Sequence, residues 1–357
     1  MKNLLLFIPS IEKAGVEKNL FILSNYFSKH IKNVYLITAN NNYKKNFNRK
    51  IKIICPKSNF FNKQSRLIKT ICCFFLILNF IKHKEYVIFS FQQNLFAAII
   101  SKIFRINLII RLNTSPNKYI NNNYQKIIFK KIYSSAREII VNSKDFKKNL
   151  KKKLNIKSSY IYNPIITNDK IINKKKKINK ELKILNIARL THQKDHMTLL
   201  KSLKLLKESN IKFEANIIGG GYEHVVLKKF IKTHHLQKEI KLLGYKKNAY
   251  KFMSKASLFV LSSKYEGLPN VLIEAQKYNL PIISTNCSTG PKEILMNGKL
   301  GELYPVSDYK KLFHEIKKFY LNQKYLNRKS NLSQKYLYRF NAKENCFKYL
   351  TIIKKYI

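Results

Sequence analysis

Tryptophan is absent from this 357-residue chain, and glycine (9), proline (8) and acidic residues (19) are scarce. The five cysteines, Cys55, Cys72, Cys73, Cys287 and Cys346, are scattered, odd in number and without C-x-x-C spacing. That suggests neither a disulfide framework nor a zinc site, and it fits a reducing cytoplasm. No purely polar tract dominates and 45% of residues are hydrophobic, which excludes a disordered chain. Long apolar runs are missing as well. The most apolar segment, ICCFFLILNFI at 71–81, falls short of the roughly 20 residues that span a bilayer. It reads as a core helix, with an in-plane membrane contact between Lys69 and Lys82 as the second reading. The apolar run in MKNLLLFIP is too short for a signal peptide and reads as a first strand.

What fills the chain instead is Lys, Asn, Ile, Phe and Tyr. The 70 basic against 19 acidic residues leave a net charge of +51. One reading is a partner of opposite sign: nucleic acid, an anionic membrane surface or a phosphorylated substrate. The other is compositional drift, in which an AT-rich genome pushes neutral surface positions toward lysine and asparagine, because charges there are solvated and structurally cheap. The lysine runs at 147–153 and 174–177 read as solvated faces, since no DNA- or RNA-binding motif accompanies them.

Length allows two domains with separate cores. Buried-type strands at 4–9, 34–39, 51–55, 86–91, 108–113, 138–143 and 159–164 alternate with helical stretches at 16–30, 64–82, 94–104, 122–135 and 144–154. This is the pattern of βαβ units in a parallel, doubly wound α/β sheet. The tract TNDKIINKKKKINKE (167–181) interrupts it as a linker. The pattern restarts with strands at 182–190, 213–219, 240–244, 257–263, 281–285 and 301–306, and from 308 onward the chain reads helical. The expected division is a first Rossmann-like domain at 1–166, the linker, a second domain at 182–340, and a terminal helix at 341–357 packing back on the first. A central cleft between two such domains is the expected ligand site, with ligands at the carboxyl ends of the strands.

Four loops of the second half lie at strand carboxyl ends: ARLTHQKD (188–195) with Arg189 and Lys194, GGGYE (219–223), GYKKN (244–248) and SSKYEGLPNVLIEA (262–275). Pro269 marks a helix start, because proline suits the first helical position. The amides of Asn270 and Val271 are then open to a phosphate. Glu274 lies about one turn later, placed to accept hydrogen bonds from sugar hydroxyls, and Glu266 sits in the loop before. A diphosphate flanked by a ribose and a second sugar describes a nucleotide-sugar.

On these residues the chain resembles retaining nucleotide-sugar glycosyltransferases of the GT-B fold, family 4. The likeness runs from EKAGVEKNLFILSNYF (12–27) through VNSKDFKKNL (141–150), IYNPI (161–165) and ARLTHQKDHMTLLKSL (188–203) to EGLPNVLIEA, and ISTNCSTGPKEIL (283–295) resembles members that build lipid-linked oligosaccharides, O-antigens and capsules. The resemblance implies that Arg189 and Lys194 hold the donor diphosphate and stabilise its departure. It implies that Glu274 binds the ribose, that Glu266 binds the sugar near the reacting carbon, and that the Leu268, Asn270 and Val271 amides complete the phosphate cradle. Gly219, Gly220 and Gly244 would allow close backbone approach to the donor, and Gly15 would do so from the first domain. No D-x-D motif occurs, so no metal or other cofactor is expected; the co-substrate is a nucleotide diphosphate-sugar, UDP-linked first and GDP-linked second. Relatives carry a histidine where this chain has Gln92, Gln93 and Asn94, which leaves the acceptor-side polar group unassigned.

Bland readings stand beside these. Glu266 and Glu274 alone would pass for solvated carboxylates, the three glycines for a turn, and His192, His196, His234 and His235 for surface positions. The run at 219–221 is not G-x-G-x-x-G, so NAD binding finds little support. The sequence therefore points to a hexosyl or N-acetylhexosaminyl transferase acting on a saccharide, lipid-linked acceptor, peripheral on the inner face of an anionic cytoplasmic membrane. The alternatives are a GT-B-fold sugar-nucleotide epimerase and, in another class, a basic nucleic-acid-binding protein.

Overall fold

The computed structural model describes residues 3–12, 15–81, 85–113, 123–166 and 181–357. The chain forms two compact units, Met1–Ile166 with Phe340–Ile357, and Thr167–Arg339. The expected linker at 167–181 lies, but for Glu181, outside the described residues.

Seven parallel strands make the first unit's sheet: β1 (Asn3–Phe7), β2 (Val34–Ile37), β3 (Ile51–Ile54), β4 (Tyr86–Ser90), β5 (Asn107–Leu112), β6 (Glu138–Val141) and β7 (Ser159–Tyr160). Their order is β3-β2-β1-β4-β5-β6-β7, so the winding reverses between β1 and β4. Successive strand residues face opposite sides. Leu5 and Phe7 thus enter one core with Ile88 and Leu108, while Leu4 and Leu6 enter the other with Val87 and Phe89. A strand buried on both faces has no polar side, which is why these segments read as unbroken apolar runs.

Helix α1 (Gly15–His30) packs on one face through Leu20, Leu23 and Phe27. On the other face lie the single turn α2 (Phe60–Lys63) and helices α3 (Arg66–Phe80), α4 (Asn94–Ile103), α5 (Asn123–Tyr133) and α6 (Lys144–Leu154). Ser65 and Ser143 cap α3 and α6, each accepting from the backbone N–H three residues on. Segment 71–81 is only half a core helix: Cys73 and Ile77 are buried, while Ile71 and Phe75 are exposed. β7 keeps two of the six residues expected at 159–164.

The second unit's sheet is also parallel, with β8 (Leu182–Ile187), β9 (Phe213–Ile218), β10 (Ile240–Leu242), β11 (Leu258–Leu261), β12 (Ile282–Thr285) and β13 (Glu302–Tyr304) in the order β10-β9-β8-β11-β12-β13. Its helices are α7 (His196–Glu208), α8 (His224–Thr233), the single turn α9 (Tyr250–Met253), α10 (Asn270–Lys277), the turn α11 (Pro291–Ile294), α12 (Tyr309–Leu321) and α13 (Gln323–Gln334). The winding reverses between β8 and β11, and the loops leaving their carboxyl ends are the ones singled out from sequence.

Beyond 308 the helical stretch is broken: Asn322 leaves helical geometry (φ −137°, ψ 79°) between α12 and α13, and Asn341 caps a last helix, α14 (Ala342–Lys354). α14 buries Cys346, Tyr349, Leu350 and Ile353 in the same core as α1. Tyr349 Oη accepts from Arg111 Nε at 3.0 Å and donates to the Ile161 carbonyl at 3.4 Å. Arg111 is fully buried and donates also to Asn163 Oδ1 at 2.7 Å and to Asn113.

Candidate active site

Three loops at the carboxyl edge of the second sheet are laced together by backbone. After β8, Leu190 N–H donates to the Gly220 carbonyl at 2.9 Å; after β9, Gly219 N–H donates to the Gly244 carbonyl at 2.9 Å, beyond β10. The lacing is so close that side chains are excluded. A Cβ on Gly219 would lie 1.8 Å from the Ala188 carbonyl oxygen, and one on Gly221 2.2 Å from that of Leu190. Gly220, between them, meets nothing within 4 Å. Two of the three glycines are therefore required by packing, and Gly221, which carries one of those requirements, was not among the sequence candidates.

The loop after β8 is fastened to the loop after β11 in the same way. Lys264 N–H donates to the Gln193 carbonyl at 2.9 Å, Gln193 Nε2 to the Tyr265 carbonyl at 2.9 Å, and Ser262 Oγ to the Lys194 carbonyl at 2.9 Å. This brings two of the predicted residues into direct contact. Lys194 Nζ meets Glu266 Oε1 at 2.5 Å, and Ser263 Oγ donates to the same oxygen at 2.6 Å. Glu266 is 6% exposed. A carboxylate this buried costs several kcal/mol in desolvation unless paired and hydrogen-bonded, and both conditions hold here.

The loop after β12 supports the one after β11. Thr289 Oγ1 donates to the Glu266 carbonyl. A Cβ on Gly290 (φ +88°) would fall 2.2 Å from the Gly267 carbonyl oxygen and 2.8 Å from Pro269 Cδ, so only glycine allows this approach. Cys287 is buried beside it, its thiol pushed up to about 12 by burial and by the Glu266 charge. It stays protonated and is no nucleophile.

Helix α10 begins at Asn270, one residue later than expected. Pro269 is extended (φ −71°, ψ 106°) and occupies the capping position, without a side-chain cap. Proline has no N–H to lose there and its shape stops the helix from extending backward. Leu268, Asn270 and Glu274 are buried, and Val271 is half-buried. Glu274 stands one turn into the helix, near its positive end.

The expectation that His196 is a surface residue is wrong. It opens α7 and is fully buried, its Nε2 3.1 Å from Asn186 Oδ1, while Asn186 Nδ2 donates to the Val260 carbonyl at 2.9 Å. Since the amide nitrogen of Asn186 is engaged, the proton between the two side chains belongs on His196 Nε2. Burial, then the nearby Lys194 charge, lower its pKa from 6.5 to about 4, so the ring is neutral. Asp195 caps the same helix from a left-handed conformation (φ 47°), accepting from Thr198 N–H and Oγ1 and from Ser307 Oγ. These residues position Lys194 by fixing the start of α7, and only the cap pattern Asp-x-x-Thr could have revealed them in sequence.

Among the remaining candidates, Arg189 is exposed just beyond β8, and Gly244 (φ +65°) is half-buried at the end of the β10 loop. Gly15 is the exposed first residue of α1 and belongs to the first unit. There, Glu17 Oε1 accepts from Glu12 N–H and from Gln92 Nε2, both at 3.3 Å. Gln92 thus occupies the strand end where no histidine is present. Among the described residues, no group of three His, Cys, Asp or Glu side chains is placed to hold a metal ion.

The second unit is thus a doubly wound α/β domain whose switch-point loops carry Arg189, the Lys194–Glu266 pair and the start of the helix that holds Glu274. Residues 167–336, nearly the whole second unit, match the family model of glycosyl transferases group 1. An uncharacterized glycosyltransferase of Methanocaldococcus jannaschii is 35% identical over 216 residues, 55% of this chain and 53% of the relative. The amylovoran biosynthesis glycosyltransferase AmsD of Erwinia amylovora is 28% identical over 83% of this chain and 84% of its own. A 4-alpha-N-acetylgalactosaminyltransferase of Campylobacter jejuni, named for a diphospho-undecaprenol-linked substrate, is 28% identical over 62% and 63%. The chain therefore spans 53% to 84% of the length of these relatives. The crystal structure of Anabaena HepE in complex with UDP-glucose superposes on 99% of this chain and 100% of that one, with a TM-score of 0.80 at 15% identity. The architecture is the GT-B fold, two doubly wound Rossmann-like domains.

Proposed function

We propose that the protein is a retaining glycosyltransferase that moves a hexosyl or N-acetylhexosaminyl group from a UDP-sugar to a lipid-linked saccharide in surface-polysaccharide, O-antigen or glycolipid synthesis. The observation that carries this reading is the Lys194–Glu266 pair, fixed by three laced loops at the switch point of the second sheet. An ammonium has three donors, so Lys194 can keep Glu266 on one and offer the others to a diphosphate. Arg189 supplies a second cation to the same leaving group. As the glycosidic bond to the diphosphate breaks, negative charge grows on the phosphate oxygen, and preorganised cations and amides stabilise it. The amides of Leu268, Asn270 and Val271, with the Gly219–Gly220 and Gly244 loops, line the phosphates. Glu274 accepts from the ribose hydroxyls, and Glu266 from a hydroxyl of the transferred sugar. No metal or cofactor is required in this scheme, because cations and helix amides take the diphosphate charge.

The family of the second unit supports this reading, as do relatives named for polysaccharide synthesis and a neighbour with UDP-glucose bound. Thermal-shift titration with UDP-, GDP- and ADP-sugars tests it. Stabilisation by a UDP-sugar is the expected result, and no response to any nucleotide-sugar overturns the proposal. Donor consumption without an acceptor would instead identify an epimerase.

A further inference from the structure

Helices α3, α4 and α5 cover the same face of the first sheet; α3 and α4 are largely apolar on both their inner and outer sides, and α5 exposes Tyr124 and Ile127 among its lysines. A surface helix ordinarily turns polar residues outward. Here the outward positions recur at helical spacing and are apolar: Ile71 and Phe75 (59% exposed) on α3, Leu95, Ile99 and Ile103 (61%) on α4, Tyr124 and Ile127 (65%) on α5. More than half of the large exposed hydrophobic side chains among the described residues fall between Phe60 and Ile128. Scattered exposed apolar residues are ordinary, whereas a contiguous set on neighbouring helices marks a surface that meets something.

Charge identifies the occupant. Between Glu17 and Glu138 the chain has one acidic residue, Glu85. Arg66, Lys102, Arg105, Lys126, Lys130 and Lys131 are exposed and lie on or beside the three helices that carry the apolar stripes. Glu12 pairs with Arg66 at 2.5 Å, and the remaining charge is basic in large excess; apolar side chains set in such a field match the boundary between anionic headgroups and acyl chains. A second copy of the chain fits poorly, because a two-fold contact would set this cationic face against itself. We infer that the outer face of α3, α4 and α5 docks on an anionic lipid bilayer, with Phe75, Ile99 and Ile127 immersed and the flanking lysines and arginines at the headgroups.

The inference rests on the proposed lipid-linked acceptor for its purpose but is read out separately from it. Full-length protein is floated with vesicles of phosphatidylcholine alone and of phosphatidylcholine with phosphatidylglycerol. Wild type should bind the anionic vesicles and keep part of that binding at high salt. Phe75→Asp, Ile99→Asp and Ile127→Asp should each weaken it roughly tenfold, the transfer value of one large apolar side chain. Charge-matched Lys→Gln changes at exposed Lys310 and Lys317 on the second unit should leave the salt-resistant part intact. Wild-type binding that salt abolishes, apolar variants that bind like wild type, or a concentration-dependent dimer lost in the same variants would each overturn it. Unchanged melting temperatures confirm that the variants fold. An unchanged response of the variants to UDP-sugar keeps the donor site separate, so either proposal can fail alone.

Discussion

Replacing Lys194 by alanine removes the cation that faces Glu266. The carboxylate keeps the bond from Ser263 Oγ at 2.6 Å and loses the ammonium at 2.5 Å. Stranding one charge of a fully buried pair costs about 3–5 kcal/mol. Here 16% of the Lys194 side chain is exposed, and the vacated space admits water, so screening reduces the expected loss to about 1–3 kcal/mol. For a domain of this size that lowers the melting temperature by roughly 2–12 °C. Two units need not unfold as one, so calorimetry should follow the transition that UDP shifts. Neutralising the survivor as well, in Lys194→Ala/Glu266→Gln, should recover most of the stability. It should not recover the donor. A charge-assisted bond to phosphate is worth about 1.5–3 kcal/mol, so UDP should bind roughly 10- to 150-fold more weakly to both the single and the double variant. A double variant no more stable than the single one would refute the pairing argument. Wild-type UDP affinity in Lys194→Ala would refute the ligand role. The ion pair thus gives this substitution a cost in stability as well as in binding.

Two further outcomes follow from the same loops. His196 has a folded pKa of about 4, below its unfolded 6.5, so the unfolded chain binds the proton more readily between those values. Its contribution is complete above 6.5 and is lost as pH falls toward 4, at most about 3 kcal/mol; His196→Gln should flatten the stability–pH curve across that window relative to wild type, and parallel curves would refute the burial argument. Gly219→Ala should lower stability by about 1–3 kcal/mol, the usual range for overpacking, because its Cβ would meet the Ala188 carbonyl at 1.8 Å, whereas Gly220→Ala should melt like wild type; equal melting temperatures would contradict the lacing of the two loops.

The two parallel sheets were legible because strands buried on both faces leave unbroken apolar runs, and helices capped by Ser143 or ended near their last periodic residue left clear boundaries. The loops that carry the candidate residues were legible at the strand ends, but the pairings between them were not. Lys194 and Glu266 are 72 positions apart, and each was assigned to a ligand before either was seen to hold the other. Gly221 and Gly290 were missed for a similar reason: what they approach is a carbonyl on another loop, and no local pattern encodes that. His196 looked like a surface residue because its partner, Asn186, lies inside the preceding strand. The two faces of α3 were equally hidden, since an all-apolar helix tells nothing of which side the sheet covers.

The helix α14 makes the first unit discontinuous, whereas the second is a single run of chain. On the ribosome the second unit is therefore free to complete itself first. Until residues 342–354 have been translated, the core that holds Leu20 and Phe27 lacks Tyr349, Leu350 and Ile353, and the guanidinium of Arg111 lacks the phenol it leans on. The amino-proximal half of this protein is made early and finished late, and during that interval it presents the apolar surface that chaperones recognise.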